Sequence, residues 1–319
     1  MDLDIKDRKI LLELEKNARQ SSFKIGKKAS LPRDVVNYRI KKLEDSGIIS
    51  HYMAIIDHSK LGQIQFKIYL QLQHLTKPQF EEMLSFLNHK KEVKWIAECN
   101  GRWDLIFAII TSTIAEFDAV KTEFLAKYSA LISTKAITMM VSAQTLKRAY
   151  LLKDEKIINN EIYQLAGSEK AEFDKTDLKV LAALVEKPRA SIIDLAKKAG
   201  VSTRAFSYKM RKLEDKKIIL GYRVALDLEK IGYQFFKSFI YLENAPEKRI
   251  HAFLGFCGFH PNIIHTVKTI GNWDVEIELE VKNNEEFYEI ISDLRDKFSD
   301  IIKTIETVII LKEHKFSYW

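Results

Sequence analysis

Arg33, Asn37 and Lys41 stand four residues apart in "RDVVNYRIKK". On a helix that spacing places them along one face. A guanidinium can bond the guanine edge in two places, and a carboxamide can do the same with adenine. Tyr38 and Asp34 flank this row. Arg39, Lys42 and the helix-start N–H groups suit phosphate oxygens. The same positions recur 170 residues later as Thr203, Arg204, Ser207, Tyr208 and Arg211, with Lys209 and Lys212 completing a basic edge. This is the chemistry of non-covalent recognition of a polyanion that carries bases. Asn37 against Ser207 and Asp34 against Arg204 lead one to expect different half-sites for the two copies.

A second constellation is "NGRWD", answered at the same offset by "GNWD". Gly101 and Gly271 supply a tight backbone, and Asp104 and Asp274 can accept from turn N–H groups or a ligand ammonium. Trp103 and Trp273 offer a flat wall, for packing or for a ligand. Arg102 and Asn272 differ, so two sites built here would not be equivalent. A structural turn that buries its Trp fits the same residues.

Other chemistries find no support. The eight His residues make no metal-ligand spacing, and no GxGxxG, phosphate-loop or GxSxG motif occurs. "GFCGFHPN" reads as a bend rather than an active thiol. The sequence predicts no enzyme, cofactor or metal. Cys99 and Cys257 form neither a CxxC pair nor a disulfide framework. With no signal peptide and no apolar run long enough for a membrane, a reducing, cytoplasmic setting is expected.

The elements that must position these residues are themselves duplicated. Asp7 and Asp177, Arg19 and Arg189, Tyr52 and Tyr222, Gly62 and Gly232, and Phe117 and Phe287 all keep the 170-residue offset without a gap. Each copy opens with three helical segments. Val36, Ile40 and Leu43 form the buried stripe of the third, matched by Phe206, Met210 and Leu213. Ser202 is placed to cap that helix, and Pro32 takes the same place in the first copy. "IISHYMAII" and "IILGYRVAL" read as short hairpins, which completes a winged helix-turn-helix. The period then changes to β-α-β-β-α-β, a ferredoxin-like order.

The expected fold is therefore α+β, in two tandem units. Winged helix-turn-helix domains cover 1–62 and 173–232, and ferredoxin-like domains cover 63–150 and 233–319. A polar linker is expected over 151–172. Residues 1–60 carry a net charge of about +4 and residues 174–230 about +6, while the final domain is acidic. Alone, "KKLED" is an ordinary solvated helix face. Its repetition in two basic three-helix units points to double-stranded DNA.

"LDIKDRKILLELEKNARQS" and "KKA…YRIKKLEDSGIISHYMAIIDHSKLG" resemble the leucine-responsive/asparagine-synthesis regulator (Lrp/AsnC) family, over almost all of both halves. "CNGRWDLIFAI" lies where that family has a Gly-Asp-Tyr-Asp-like turn. Gly101 and Asp104 fit that pattern, and Arg102 and Trp103 depart from it. The resemblance implies a transcriptional regulator that binds DNA through winged helices. Its ferredoxin-like (RAM) domains would pair through their sheets and bind small effectors, often amino acids, at their interfaces. Residues 101–104 and 271–274 are then the effector candidates. The tandem layout looks like an archaeal-type two-unit member. One chain would pair its own RAM domains as a pseudo-dimer, with homo-oligomers as a further level. The alternatives are a sirohaem-decarboxylase-like enzyme of the same fold, with His74, Arg102 and His265 as nearest candidates, or an interaction scaffold that does not bind DNA.

Overall fold

The computed structural model describes residues 3–152, 163–167 and 169–317. Part of the expected linker, 153–162, lies outside them. The first half opens with α1 (Ile5–Lys16), α2 (Ser22–Ala29) and α3 (Arg33–Asp45), followed by β1 (Ile49–Ile56). The second half repeats these as α6 (Lys175–Glu186), α7 (Ile192–Ala199), α8 (Thr203–Asp215) and β7 (Ile219–Leu226). Side-chain oxygens start most of these helices. Asp4 accepts from Lys6 and Asp7 N–H, and Asp174 accepts from Thr176 and Asp177 N–H. Ser202 caps α8 by accepting from Ala205 N–H, whereas Pro32 precedes α3 with no side-chain cap. Val36, Ile40 and Leu43 are buried as their spacing requires. Gly47 ends the first unit's helices at φ +69°. Its counterpart Lys217 adopts φ +58°, so the second copy keeps a left-handed turn that a side chain disfavours.

The segments after these turns are not hairpins. Each is one strand, and β1 pairs antiparallel with β7 of the other copy. Met53 faces its own counterpart Arg223, so the pseudo-two-fold axis passes through that pair. The strands also exchange cores: Val224 and Leu226 of β7 pack into the first head, and Ala54 and Ile56 of β1 into the second. "IISHYMAII" contains no Gly, Asn or Pro to turn on. An edge strand that cannot fold back on itself takes its hydrogen bonds from the other unit.

The ferredoxin-like parts are β2 (Ile64–Leu72), α4 (Lys77–His89), β3 (Val93–Gly101), β4 (Leu105–Thr111), α5 (Ile114–Tyr128) and β5 (Ile132–Thr145), then β8 (Gln234–Leu242), α9 (Glu247–Phe259), β9 (Ile263–Gly271), β10 (Val275–Val281), α10 (Asn284–Lys297) and β11 (Ile302–Phe316). Their strands form one closed ring in the order β2-β4-β3-β11-β8-β10-β9-β5, with β5 pairing back onto β2. The long strands β5 and β11 close it, each pairing with its own half along one stretch and the other half along the next. Side chains alternate across this wall. Ile68 and Leu70 face outward into a core under the helices, while Tyr69 faces the interior with Trp95, Trp103, Phe239 and Trp273.

The expected linker is partly structured. Leu151 is buried in the core of the first head. Tyr163–Ala166 form β6, which extends the sheet along β5. The Tyr163 hydroxyl donates to the Lys16 carbonyl at 2.7 Å, tying this strand to α1.

Candidate functional site: two reading helices and the polar core between them

Helices α3 and α8 present matching faces. Arg33, Asp34, Asn37, Tyr38, Lys41 and Lys42 are exposed, as are Thr203, Arg204, Tyr208 and Arg211; Ser207 and Lys212 are half-buried. Tyr38 and Tyr208 are 68% and 65% exposed, unusual for large aromatics with no packing role. Arg33 and Asp34 lie 3.6 Å apart as a solvent-exposed ion pair, a contact worth little to stability.

Arg39 and Lys209 do different work from that expected of phosphate ligands. The Arg39 guanidinium bonds Asp4 at 2.8 Å and Asp7 at 2.7 Å. Lys209 bonds Asp174 and, at 3.1 Å, Asp177. In each head the residue clamps the reading helix to the N-terminal turn of the first helix. It thereby compensates two carboxylates, so its charge is already committed.

The two heads are locked reciprocally. Arg19 of the first lies over the Tyr222 ring at 5.4 Å and donates to the carbonyls of Pro188 and Ala190. Arg189 of the second lies over Tyr52 at 4.9 Å. The Tyr52 hydroxyl donates to Glu44 at 2.5 Å and the Tyr222 hydroxyl to Glu214 at 3.0 Å, at the ends of the reading helices. Each head's arginine thus supports the strand that braces the other head's helix, and cation–π contacts add to the exchanged cores.

The Gly-x-Trp-Asp turns are built into the ring. Gly101 has φ +136° and Gly271 φ +148°. A Cβ on Gly271 would come within 2.5 Å of the Ile137 carbonyl of the neighbouring strand. Asp104 accepts from Leu72 N–H and Asp274 from Leu242 N–H, both at 2.7 Å. Trp103 and Trp273 are each 2% exposed inside the ring. Arg102 pairs with Glu306 and lies over Trp103, while Asn272 is exposed in the other turn. The Gly, Trp and Asp of each turn therefore close strands and fill the interior.

The interior also holds charge that the sequence did not reveal. Lys67 and Lys237 are symmetry counterparts, and both reach Glu276, at 2.6 and 2.7 Å. Lys237 also bonds Glu278 at 2.7 Å. Glu276 further accepts from the Tyr69 hydroxyl and, at 3.1 Å, from Trp273 Nε1. Burial opposes its ionisation, but the two ammonium groups outweigh that and hold its carboxyl well below the usual range. Glu278 is brought down to about 2 against the same burial, mainly by Lys237. In the first half Ile106 and Ala108 stand at the positions of Glu276 and Glu278. The compensation of the paired lysines is one-sided.

A second buried cluster joins ring and heads. Arg148 makes a two-bond contact to Glu280, 2.7 Å from Nε and 2.9 Å from Nη2, and a third bond to Glu15 of α1 at 2.9 Å. Arg223 of β7 also pairs with Glu15, and the Tyr150 hydroxyl donates to Glu280. Here too the counterparts are apolar: Val185 for Glu15, Met53 for Arg223 and Ile110 for Glu280.

Comparison with known proteins accords with this arrangement. Residues 3–50 and 173–219 match the winged helix-turn-helix DNA-binding family. An HTH-type transcriptional regulator of Pyrococcus abyssi is 33% identical over 149 residues, which span 95% of that protein and 46% of this chain. The chain belongs to the family of HTH-type transcriptional regulators. The proline dehydrogenase transcriptional activator of Rhizobium radiobacter is 25% identical over 146 residues, 92% of its length. These relatives are one unit long, so the regulator carries two. A solved structure follows the double arrangement: the siroheme decarboxylase NirDL aligns over 98% of this chain and 92% of its own at TM-score 0.62, with 14% identity, a likeness of fold.

The three residues considered for a decarboxylase lie on different parts of the regulator. His74 is in an exposed turn, Arg102 is held by Glu306, and His265 is half-buried in the ring wall, 3.2 Å from the Thr145 hydroxyl. Among the described residues no group of acidic, His or Cys side chains is placed to hold a metal ion. No described helix is long and apolar enough to cross a membrane.

His58 has a different consequence. It is 2% exposed, and neither ring nitrogen has a partner among the described residues. Its counterpart is Leu228. Burial pushes its pKa down to about 4 from 6.5. The unfolded chain therefore takes up a proton first as pH falls. The stability His58 permits is full above pH 6.5 and is lost as pH drops toward 4. His58→Leu is expected to reduce the stability difference between neutral pH and pH 4 by up to about 3 kcal/mol, read by urea unfolding at the two pH values. An unchanged difference would exclude His58 as a source of acid sensitivity.

Proposed function

We propose that the regulator engages duplex DNA with both heads of one chain at once, as a cytoplasmic pseudo-dimer that requires no second copy. The supporting observation is the pair of exposed basic faces on α3 and α8, held in one frame by the β1–β7 ribbon and the exchanged cores. Arg33, Asn37, Tyr38 and Lys41, with Thr203, Arg204, Ser207, Tyr208 and Arg211, face the grooves. Lys42 and Lys212 serve phosphates. Within the acidic final domain, Glu276, Glu278 and Glu280 are compensated inside the ring by Lys67, Lys237 and Arg148.

Binding to genomic duplex fragments should weaken steeply with salt, each phosphate contact adding about −0.9 to the slope of log affinity against log salt. Lys42→Ala and Lys212→Ala are expected to lower that slope by about one each while leaving sequence preference unchanged. Fluorescence anisotropy across a salt series measures both. A slope near zero, or one untouched by both substitutions together, would remove the proposal. Sedimentation of the complex at one chain per duplex supports the pseudo-dimer, and two chains per duplex excludes it.

A further inference from the structure

We infer that the regulator reads a directional DNA site: two unlike half-sites in a fixed order and at a fixed spacing, rather than a palindrome. This rests on the DNA-binding role proposed above and specifies the DNA that fits it. A homodimer presents the same helix twice and therefore favours inverted repeats. This chain has the same two-fold frame, with Met53 opposite Arg223 on its axis. Its two reading faces are nevertheless chemically different.

Four exposed or half-exposed positions carry the difference: Arg33 against Thr203, Asp34 against Arg204, Asn37 against Ser207, and Lys41 against Arg211. In the first head Arg33 and Asp34 pair with one another, which moderates the positive face. Asn37 offers the bidentate match to adenine, and Asp34 accepts from cytosine N4. In the second head Arg204 stands where the first has Asp34, Arg204 and Arg211 offer guanine contacts, and Ser207 discriminates little. The first half-site is thus expected to centre on adenine, and the second to be richer in guanine. Tyr38 and Tyr208 are shared, so they contribute to both half-sites alike.

The heads cannot exchange roles. The Glu15, Arg148, Arg223 and Glu280 cluster fastens one side of the frame, and apolar residues occupy the positions of Glu15, Arg223 and Glu280 on the other. The spacing is set by β1 and β7, which are paired along their length and embedded in each other's head, and by the reciprocal Arg19–Tyr222 and Arg189–Tyr52 contacts. Among the described residues the heads meet directly through this ribbon.

Selection of random duplex DNA by the full chain tests the inference. Two unlike half-sites in one order are expected. Reversing one half-site, or inserting a single base pair between them, should weaken binding about tenfold or more. Giving the second head the first head's residues, with Thr203→Arg, Arg204→Asp, Ser207→Asn and Arg211→Lys together, should turn the selected motif into an inverted repeat of the first half-site. An inverted repeat selected by the unaltered chain would overturn directionality and leave DNA binding intact. Indifference to the inserted base pair would overturn the fixed spacing. Recovery of no DNA, with no salt-sensitive binding, would overturn this inference and the proposed function together.

Discussion

Glu276→Gln is expected to destabilise the protein by about 3–5 kcal/mol, because it removes the charge that compensates two buried ammonium groups. Lys67 and Lys237 occupy equivalent positions in the two halves and converge on this one carboxylate. The amide can accept a hydrogen bond but cannot neutralise them. Lys237 keeps Glu278 as a partner, whereas Lys67 loses the only carboxylate among the described residues within ion-pair distance of it. The second variant follows from this. Lys67→Met combined with Glu276→Gln leaves the Lys237–Glu278 pair intact and should regain most of the loss, giving a large favourable coupling in a double-mutant cycle. Additive effects of the two changes would exclude the pair as a unit. The pH dependence has a definite sign. Glu276 and Glu278 ionise well below the ordinary value of 4.5, so their stabilisation is present above that pH. It is lost as pH falls toward about 2, where Glu278 protonates in the folded state. The urea midpoint of the unaltered protein should therefore fall below pH 4.5, and the double variant should show a shallower fall.

Why these charges escaped the sequence is a matter of which face a strand turns inward. "QFKIYLQLQ" alternates, so Lys67 falls with the polar set and reads as solvent-facing. In a single open sheet it would be. Here the polar set of β2 lines the inside of a ring that closes only when both halves are present. The same gap explains the hairpin that was expected after Gly47: alternation gives a strand, but period alone does not name its partner. Partners lay in the other copy for β1, β3, β5 and their counterparts. By contrast, the helices and their caps rest on local rules, and Val36, Ile40, Leu43 and Ser202 sit where those rules place them. One signal for the polar core did exist. Lys67 and Lys237 are conserved between the copies, while Glu276, Glu278 and Glu280 replace Ile106, Ala108 and Ile110. Three acids replacing apolar residues along one strand of a duplicated unit mark where the pseudo-symmetry is broken. Arg39 and Lys209 show the opposite limit. Their basic character on a reading helix suggested phosphates, and only the neighbouring Asp4, Asp7, Asp174 and Asp177 reveal the clamp.

Arg148→Met should be comparably severe, about 3–5 kcal/mol, with an added effect on how the heads work together. Arg148 follows the last ferredoxin strand of the first half. It satisfies Glu280 with two bonds and Glu15 with one, and all three residues are buried. Methionine fills much of the volume but leaves the Glu280 carboxylate, among the described residues, with the Tyr150 hydroxyl as its hydrogen-bond donor. Arg223 still compensates Glu15, so the strain concentrates on the ring side of the junction. The first head would then be held to the ring mainly by the apolar contacts of Tyr150 and Leu151 and by the Tyr163–Lys16 hydrogen bond. Affinity for DNA carrying both half-sites should fall, while affinity for a duplex with one half-site should change little. A uniform loss on both duplexes would instead indicate a damaged reading helix. The pseudo-symmetry supplies the control. Glu15→Val, Arg223→Met and Glu280→Ile install the residues found on the opposite side of the frame, and together with Arg148→Met they leave no buried charge in the junction. That quadruple variant is expected to be markedly more stable than Arg148→Met alone, since replacing a whole buried ionic cluster with apolar groups is often neutral or favourable. If it is also restored on the two-half-site duplex, the junction needs only to be filled. If it is stable but still poor on that duplex, directed ion pairs are what hold the heads in register.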